Sequence, residues 1–426
     1  MKILVYGSGA REHAIAWKLS KTKYPVKLYL ANPNDGFKQL GEAIFETDFI
    51  KLAKISKEKG IDLLVVGPEM PLANGIVDQF ELLGISCIGS NKYWSQLESS
   101  KSFAKNFMLK HKINTAKYVV VNNKEEIDTK LEEFSCLVNY KEREDSINKK
   151  IVIKADGLAL GKGVFIVNNI NEARLKILSL LNGEFKEASK KVIIEEFLQG
   201  VEISLISIYD GETLLPFIPA QDYKKLKDKN KGLNTGGMGA FCPIYLNDIQ
   251  QEKINNYVKK LNKALNKEKA NFKGFIYSGL ILTNNNDIYV LEYNMRLGDP
   301  ETQVLMMALE SDLVDMLRFA LDKNLKNLKL KWKAEQQYCV TIASEGYPLE
   351  YKKGYEIKNI NYIKNLEDIE IFFAGVIEQN NKIFSNGGRI LSICSNSIEK
   401  VYTACQMIQL ENKFYRKDIG IVYNTY

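Results

Sequence analysis

The sequence predicts a multidomain chain of mixed α/β and α+β character: an N-terminal parallel α/β domain, a central domain built from hairpins, and a small β-rich C-terminal domain. The length of 426 residues exceeds what one ordinary core fills, since domains usually hold roughly 100–200 residues. Before Lys92, short apolar runs alternate with helical patterns, which implies a parallel sheet. Beyond it, apolar runs come in close pairs separated by turn residues, as hairpins do.

In chain order, Ile3–Tyr6, Leu28–Leu30, Leu63–Val66 and Cys87-Ile88 read as strands, with helices at Ala10–Lys21 and Pro71–Leu83. Ser95–Lys112 is an amphipathic helix and Tyr118–Val121 a strand. The polar stretch Asn139–Lys150 reads as an exposed loop. Hairpins follow: Ile151–Lys154 with Val164–Val167, then Val192–Phe197, then Glu202–Tyr209 turning at Asp210-Gly211. A polar helix at Asn247–Lys267 leads to the hairpin Gly279–Thr283 and Ile288–Asn294, and Val304–Leu321 is helical again. Tyr338–Ala343, Ile371–Gly375 and Gly388–Cys394 alternate as strands, followed by a helix at Ser397–Leu410. The expected domains are 1–94, 95–326 (with a mobile subdomain at about 115–190) and 327–426.

Composition narrows the function. A hydrophobic fraction of 45% with 26% charge excludes the disordered and fibrous classes. No run of about 18 apolar residues occurs, and Ile3–Tyr6 is too short for a signal peptide, so no membrane association is expected. The six cysteines form no C-x-x-C pair and only two histidines exist, so reduced cytoplasmic thiols are expected and a zinc site is not. A net charge of +7, spread along the chain, suits a small anionic substrate better than nucleic acid.

Chemistry concentrates in a few segments. Gly7-Ser8-Gly9-Ala10-Arg11-Glu12-His13 follows a strand and opens a helix, where backbone N–H groups can face an anion. It fails as a dinucleotide fingerprint, because Glu12 stands at the third glycine position and Ala31-Asn32 supplies no acid for a ribose. Gly67-Pro68-Glu69 sits past another strand, at the same ligand-binding edge of the sheet. Lys154 and the stretch Asp156–Gly163 form a hairpin tip rather than a P-loop: Gly157 and Gly161 enclose three residues, and Gly163 stands where Ser or Thr would follow Lys162. Its glycines let backbone fold over phosphates, and its lysines supply point charges. Val192–Leu198 ends a strand in Glu195, Glu196, Phe197 and Leu198, a place where backbone and apolar contact can hold adenine, with Glu202 available to a ribose hydroxyl. In Leu291–Arg296 alternation puts Glu292, Asn294 and Arg296 on one face, so two oxygen ligands and a cation lie together. The polar run continues through Gly298 and Asp299.

Together these segments resemble the ATP-grasp superfamily and, more narrowly, the family of phosphoribosylamine–glycine ligases. The resemblance runs from Met1 to about Gly420 and also rests on Val66–Pro71, Leu97–Lys105, Asn234–Gly239, Ser385–Arg389 and Arg416–Gly420. It implies a pre-ATP-grasp N-terminal domain, a central ATP-grasp domain, and use of ATP with Mg2+ or Mn2+. It implies phosphorylation of glycine to glycyl phosphate, then displacement of phosphate by 5-phosphoribosylamine, in purine synthesis. By the same resemblance Lys105, Lys154 and Lys162 face the nucleotide under the Gly157, Gly161 and Gly163 loop. Glu195, Glu196, Phe197 and Leu198 hold adenine, Glu202 the ribose, and Glu292 and Asn294 the metal. Arg296 and Lys162 act on the transferred phosphoryl group. Gly9, Arg11, Glu12, Glu69, Asp222, Asn234, Thr235, Gly236, Gly237, Gly298 and Asp299 meet glycine and the aminosugar. A monomer or weak homodimer is expected. The chain departs from the family at Tyr223-Lys224-Lys225, at Leu233, at Asn32–Gly36, and in the insertion Asn139–Lys150. Rival readings are a carboxylase of the same superfamily, a nucleotide-binding regulatory protein, and a nicotinamide dehydrogenase.

Overall fold

The computed structural model describes residues 1–140, 150–159 and 161–422. Most of the stretch Asn139–Lys150, read above as an exposed inserted loop, lies outside the described residues, as does Leu160.

The first layer is a five-stranded parallel sheet in the order β3-β2-β1-β4-β5. Its strands are β1 (Lys2–Tyr6), β2 (Lys27–Ala31), β3 (Glu42–Ile44), β4 (Leu63–Val66) and β5 (Ser86–Ile88). The Leu63-Leu64-Val65-Val66 run is buried on both faces, as a central parallel strand requires. Helix α1 (Ala10–Ser20) starts straight after β1, so its N-terminus meets the C-terminal edge of the sheet. β3 and the helix α2 (Phe49–Glu58) were not expected from sequence. The expected helix Pro71–Leu83 is two short ones, Glu69–Ala73 and Ile76–Leu82, because Gly75 takes a left-handed conformation at φ 84° between them.

The hairpin region forms two four-stranded antiparallel sheets. One runs Tyr118–Val121, Val192–Glu196, Ile151–Ala155, Val164–Val167, with helices Ile127–Val138 and Ile170–Leu181 packed on it. The other runs Leu214–Pro216, Gly200–Tyr209, Gly274–Thr283, Ile288–Asn294. The helix Asp248–Lys267 buries Ile254, Tyr257, Val258, Leu261, Ala264 and Leu265 against this second sheet, at the spacing of an amphipathic face. Gly89 and Gly274 bring β5 and the second sheet into backbone contact, with Gly89 N–H donating to Lys273 C=O at 2.7 Å.

The third sheet draws from both sides of residue 327. It orders Gln221–Asp222, Gly239–Cys242, Gln337–Ser344, Arg389–Ser395 and Glu370–Phe373, with Lys413–Phe414 added on Gln337–Ser344. The loop before Gly239 is thereby fastened beside the C-terminal strands. The expected helix Val304–Leu321 is broken into Glu301–Ala308 and Leu313–Leu321. Every residue of Glu301–Ala308 is buried, and the cluster around it includes Val5, Ile208, Cys339 and Phe372. That helix is the common core of the parallel sheet, the Gly200–Tyr209 sheet and the third sheet.

His13 joins two of them. Its ring stacks on Phe37 and Phe373, and its Nδ1 accepts the Phe373 N–H at 2.8 Å. Burial, then the charge of Lys364, lowers its pKa to about 3, so the imidazole is neutral and structural.

Candidate active site

Three groups of polar side chains converge on the cleft between the layers. The first is built on the Tyr118–Val121 sheet. Register pairs Val152 with Glu195, which aims the Glu195 carboxylate at the helix Lys101–Lys110. Lys105 Nζ lies 3.2 Å from one of its oxygens and Lys154 Nζ 2.9 Å from the other. Burial works against the Glu195 charge, and the two ammonium groups outweigh it, holding the carboxyl below its usual range. Burial lowers Lys105 to about 8 against the pull of Glu195. Lys154 also donates to Leu291 C=O at 3.1 Å, tying this sheet to the strand Ile288–Asn294. Glu196 accepts the Lys117 N–H at 2.8 Å, and Phe197 and Leu198 are half-buried just past the strand.

Above these lysines the hairpin tip bends toward the C-terminal domain. Gly157 N–H donates to Ala188 C=O at 2.9 Å. Gly161 sits at φ 75°, a conformation strained for any side chain, and a Cβ there would make a tight 3.2 Å approach to Thr235 C=O. Gly163 packs on Ala159 and Ala155. Lys162 Nζ donates to Pro348 C=O at 2.8 Å, and Asn234 Nδ2 to Val164 C=O at 3.3 Å.

The second group lies on Ile288–Asn294. A bulge between Gly279 and Leu280 of the partner strand resets the register so that Tyr293 and Met295 enter the core, while Glu292, Asn294 and Arg296 are half-buried on the cleft side. Among the described residues, the side-chain oxygens of Glu292 and Asn294 have no hydrogen-bond or ion-pair partner. Two side chains with free hard oxygens fit a divalent cation that keeps its other positions for other ligands and water. Nearby, Lys224 bridges Asp222 at 2.7 Å and Glu202 at 3.1 Å. Burial opposes its charge, but Asp222, Tyr277 and Glu202 hold the Lys224 ammonium well above its ordinary pKa. Ser204 Oγ donates to Glu301 at 2.8 Å. Burial and then Asp222 push the Glu301 carboxyl up to about 7.

The third group closes the cleft with arginines. Glu12 folds back on its own helix start: Oε2 accepts the Gly9 N–H at 2.6 Å and Oε1 the Arg11 Nε–H at 2.6 Å. A Cβ on Gly67 would meet Glu12 at 1.9 Å, so the third position of this glycine loop is filled by a carboxylate that the opposite loop is shaped around. Arg11 and Arg296 both donate to Leu297 C=O, at 3.2 and 3.1 Å. Arg296 also lies 3.4 Å from Glu69 and 3.2 Å from Glu98. Arg389 reaches in from the C-terminal strand. It donates to Gly236 C=O at 2.6 Å, to Asp299 C=O at 3.0 Å and to the Asp299 carboxylate at 2.9 Å. Tyr347 Oη accepts the Gly236 N–H at 2.9 Å, Thr235 Oγ1 accepts the Gly237 N–H at 3.0 Å, and Gly237 and Gly298 pack too closely on Pro300 and Glu301 to carry a Cβ.

Contacts link the sequence-derived residues across these groups: Lys154 reaches Leu291, Arg11 reaches Leu297, and Arg389 joins Gly236 to Asp299. Glu98, Lys224, Glu301, Tyr347 and Arg389 were not singled out from sequence. Lys224 lies in a short lysine-rich run that reads as solvated surface, and Glu98 falls within the amphipathic pattern Ser95–Lys112, where nothing local marks it. Tyr223, where the chain departs from the family, is buried: Arg416 covers its ring, and its hydroxyl donates to Ile421 C=O and accepts from Gly420 N–H.

A glycine-lysine hairpin tied to a strand that carries paired oxygen donors, each in an antiparallel sheet, defines an ATP-grasp enzyme. Family models described as the N, ATP-grasp (A) and C domains of phosphoribosylglycinamide synthetase match residues 1–98, 99–302 and 337–422. A phosphoribosylamine–glycine ligase from Fusobacterium nucleatum is 42% identical over 99% of this chain and 99% of its own length. The crystal structure of the phosphoribosylamine–glycine ligase from Thermotoga maritima superposes with a TM-score of 0.80 at 32% identity, covering 98% of this chain and all of that one. The biotin carboxylase domain of a Hydrogenobacter thermophilus 2-oxoglutarate carboxylase, solved with MgADP and bicarbonate, shares the fold, with a TM-score of 0.73 at 16% identity over 97% of this chain and 91% of that one. The chain belongs to the phosphoribosylglycinamide synthetase family.

Proposed function

We propose that this protein joins glycine to 5-phosphoribosylamine at the expense of ATP, giving glycinamide ribonucleotide, ADP and phosphate, in de novo purine synthesis. Full-length similarity to phosphoribosylamine–glycine ligases supports the substrates. The observation that carries the chemistry is the shared cleft, in which phosphate-facing lysines, a free oxygen pair and an arginine lie beside the Asn234–Gly239 loop.

The roles follow from position. Lys105 and Lys154 meet the nucleotide phosphates, with Glu195 holding both ammonium groups in place. The Gly157–Gly163 tip closes over ATP and brings Lys162 to the phosphoryl group. Glu196, Phe197 and Leu198 hold adenine, and Glu202 the ribose. Glu292 and Asn294 hold Mg2+, or Mn2+ in its place, which when bound neutralises phosphate charge. The glycine carboxylate attacks the γ-phosphorus and ADP leaves, with Arg296 stabilising charge on the transferred group. The amine of phosphoribosylamine then attacks the acyl carbon of glycyl phosphate, phosphate leaves, and the amine loses a proton. Asp222, Asn234, Thr235, Gly236 and Gly237 orient glycine and the amine. Gly9, Arg11, Glu12, Glu69, Gly298 and Asp299 surround the aminosugar. Closure of glycine-rich backbone on both reactants keeps water from the acyl phosphate.

The domains proposed are 1–94, 95–326 and 327–426. Among the described residues no helix is long and apolar enough to cross a membrane. We place the enzyme in the cytoplasm as a monomer or weak homodimer acting on small molecules, without a nucleic-acid partner. Incubation with ATP, Mg2+, isotopically labelled glycine and fresh phosphoribosylamine, followed by mass spectrometry, tests the reading. Labelled glycinamide ribonucleotide is the expected product, and its absence while ATP is consumed contradicts the assignment.

A further inference from the structure

We propose that Glu98 is a positioning residue for the reaction, gripping the Arg296 guanidinium by one edge so that its remaining N–H groups are presented to the reacting anion. The proposal rests on the role given to Arg296 above.

Glu98 lies on the short helix Gln96–Ser99 at the junction of the N-terminal and central layers, with its side chain only 5% exposed. One carboxylate oxygen accepts the Met295 N–H at 2.8 Å, and the other lies 3.2 Å from Arg296 Nη2. A single carboxylate therefore fixes both the backbone just before Arg296 and the guanidinium itself. Arg296 Nη1 is held separately, donating to Leu297 C=O at 3.1 Å. Arg296 Nε is buried yet has no hydrogen-bond acceptor, with the nearest carboxylate oxygen, on Glu69, at 3.4 Å. A guanidinium has five donors in a rigid fork, so fixing two positions sets the direction of the rest. The Nε–H faces the Glu69 carboxylate and is shut off from solvent, so the second N–H groups of Nη1 and Nη2 are what an anionic ligand oxygen can take.

A neutral side chain of the same shape could satisfy the Met295 amide. Only an anion satisfies the amide and the guanidinium at once. Burial pushes the Glu98 carboxyl up to about 7, with Arg296 pulling it down and Glu69 pushing it further up, so its charge depends on the arginine it holds. Arg11 is the other cation acting on it.

The test is a double-mutant cycle in the full chain with Glu98→Gln and Arg296→Lys, reading kcat, KM for ATP and glycine, and thermal stability. Glu98→Gln is expected to lower kcat on the order of 100-fold, as a misplacement of about 1 Å does, with KM for ATP within about twofold of the parent. In the Arg296→Lys background the same substitution is expected to cost less than about threefold, because the group it orients is already gone. Equal losses in both backgrounds, or parental kcat in Glu98→Gln, overturn the proposal while leaving the role of Arg296 intact. Parental kcat in Arg296→Lys overturns that role and the proposal with it. If Glu98→Gln does not fold, Glu98→Asp keeps the charge but shortens the reach. It is expected to lose kcat about tenfold with the same non-additivity, and additivity there overturns the proposal equally.

Discussion

Lys105 and Lys154, from a helix and a strand of different segments, share one carboxylate, each ammonium resting on a different oxygen of Glu195 at 3.2 and 2.9 Å. The pair is almost wholly buried, so the three charges stand or fall together. Removing the anion leaves two cations facing each other in a poorly hydrated site.

Glu195→Gln is therefore expected to destabilise the protein by about 3 kcal/mol, the usual scale for a buried charge that loses its partner. Urea unfolding measures it. Lys105→Met in the same chain is expected to recover part of the loss, and an unchanged midpoint in Glu195→Gln contradicts the triad.

Glu292→Gln keeps the size of the side chain but removes the negative charge on the cleft face. Turnover is expected to fall nearly to zero at ordinary magnesium concentration, with far-UV circular dichroism and melting temperature unchanged. A variant that retains most of its activity removes Glu292 from the metal site.

Among its described residues, the Gly157–Gly163 tip meets the segments facing it through few contacts, chiefly Lys162 on Pro348 of the C-terminal domain and Gly161 beside Thr235 of the central one. Few contacts and several glycines mean low local stability. Hydrogen exchange in this segment is expected to slow when ATP is added, while strand Val192–Glu196 changes little. Equal protection with and without nucleotide contradicts a closing tip.

His13 makes stability acid-sensitive. Its folded pKa of about 3 lies below the ordinary 6.5, so below pH 6.5 the unfolded chain binds a proton that the folded chain refuses. The stability it carries is present above that pH and drains as pH falls toward 3, at about 1.4 kcal/mol per unit. His13→Asn keeps an acceptor for the Phe373 N–H without a titrating group. Between pH 6.5 and 5 the parent is expected to lose about 2 kcal/mol more than the variant in urea melts, and parallel losses contradict the assignment.

Much of the architecture was legible because its signals are local. Runs such as Leu63–Val66 are apolar throughout, as strands covered on both faces are, and the alternation of Glu292, Asn294 and Arg296 is visible in six residues. The helices Ile127–Val138 and Ile170–Leu181 escaped notice because they bury only narrow stripes, Ile127, Leu131 and Phe134 in one case and Ala173, Ile177 and Leu180 in the other. The single helix expected at Val304–Leu321 is two because Asp312 caps a new one, accepting the Val314 N–H. At the site, Glu98 meets Arg296 and Arg389 meets Asp299 only after distant segments fold together, and pairings across that much chain leave no local pattern.

The central claim is that ATP is cleaved to activate glycine for transfer to an aminosugar, inside a pocket closed by glycine backbone. It is tested most directly by ADP formation measured with each substrate omitted in turn, and with alanine or bicarbonate in place of glycine. The account predicts rapid ADP formation only when glycine and phosphoribosylamine are both present, with alanine slower by roughly 10–200-fold because its methyl group meets the closed loop. Rapid ADP formation with bicarbonate, or alanine turning over as fast as glycine, would contradict it.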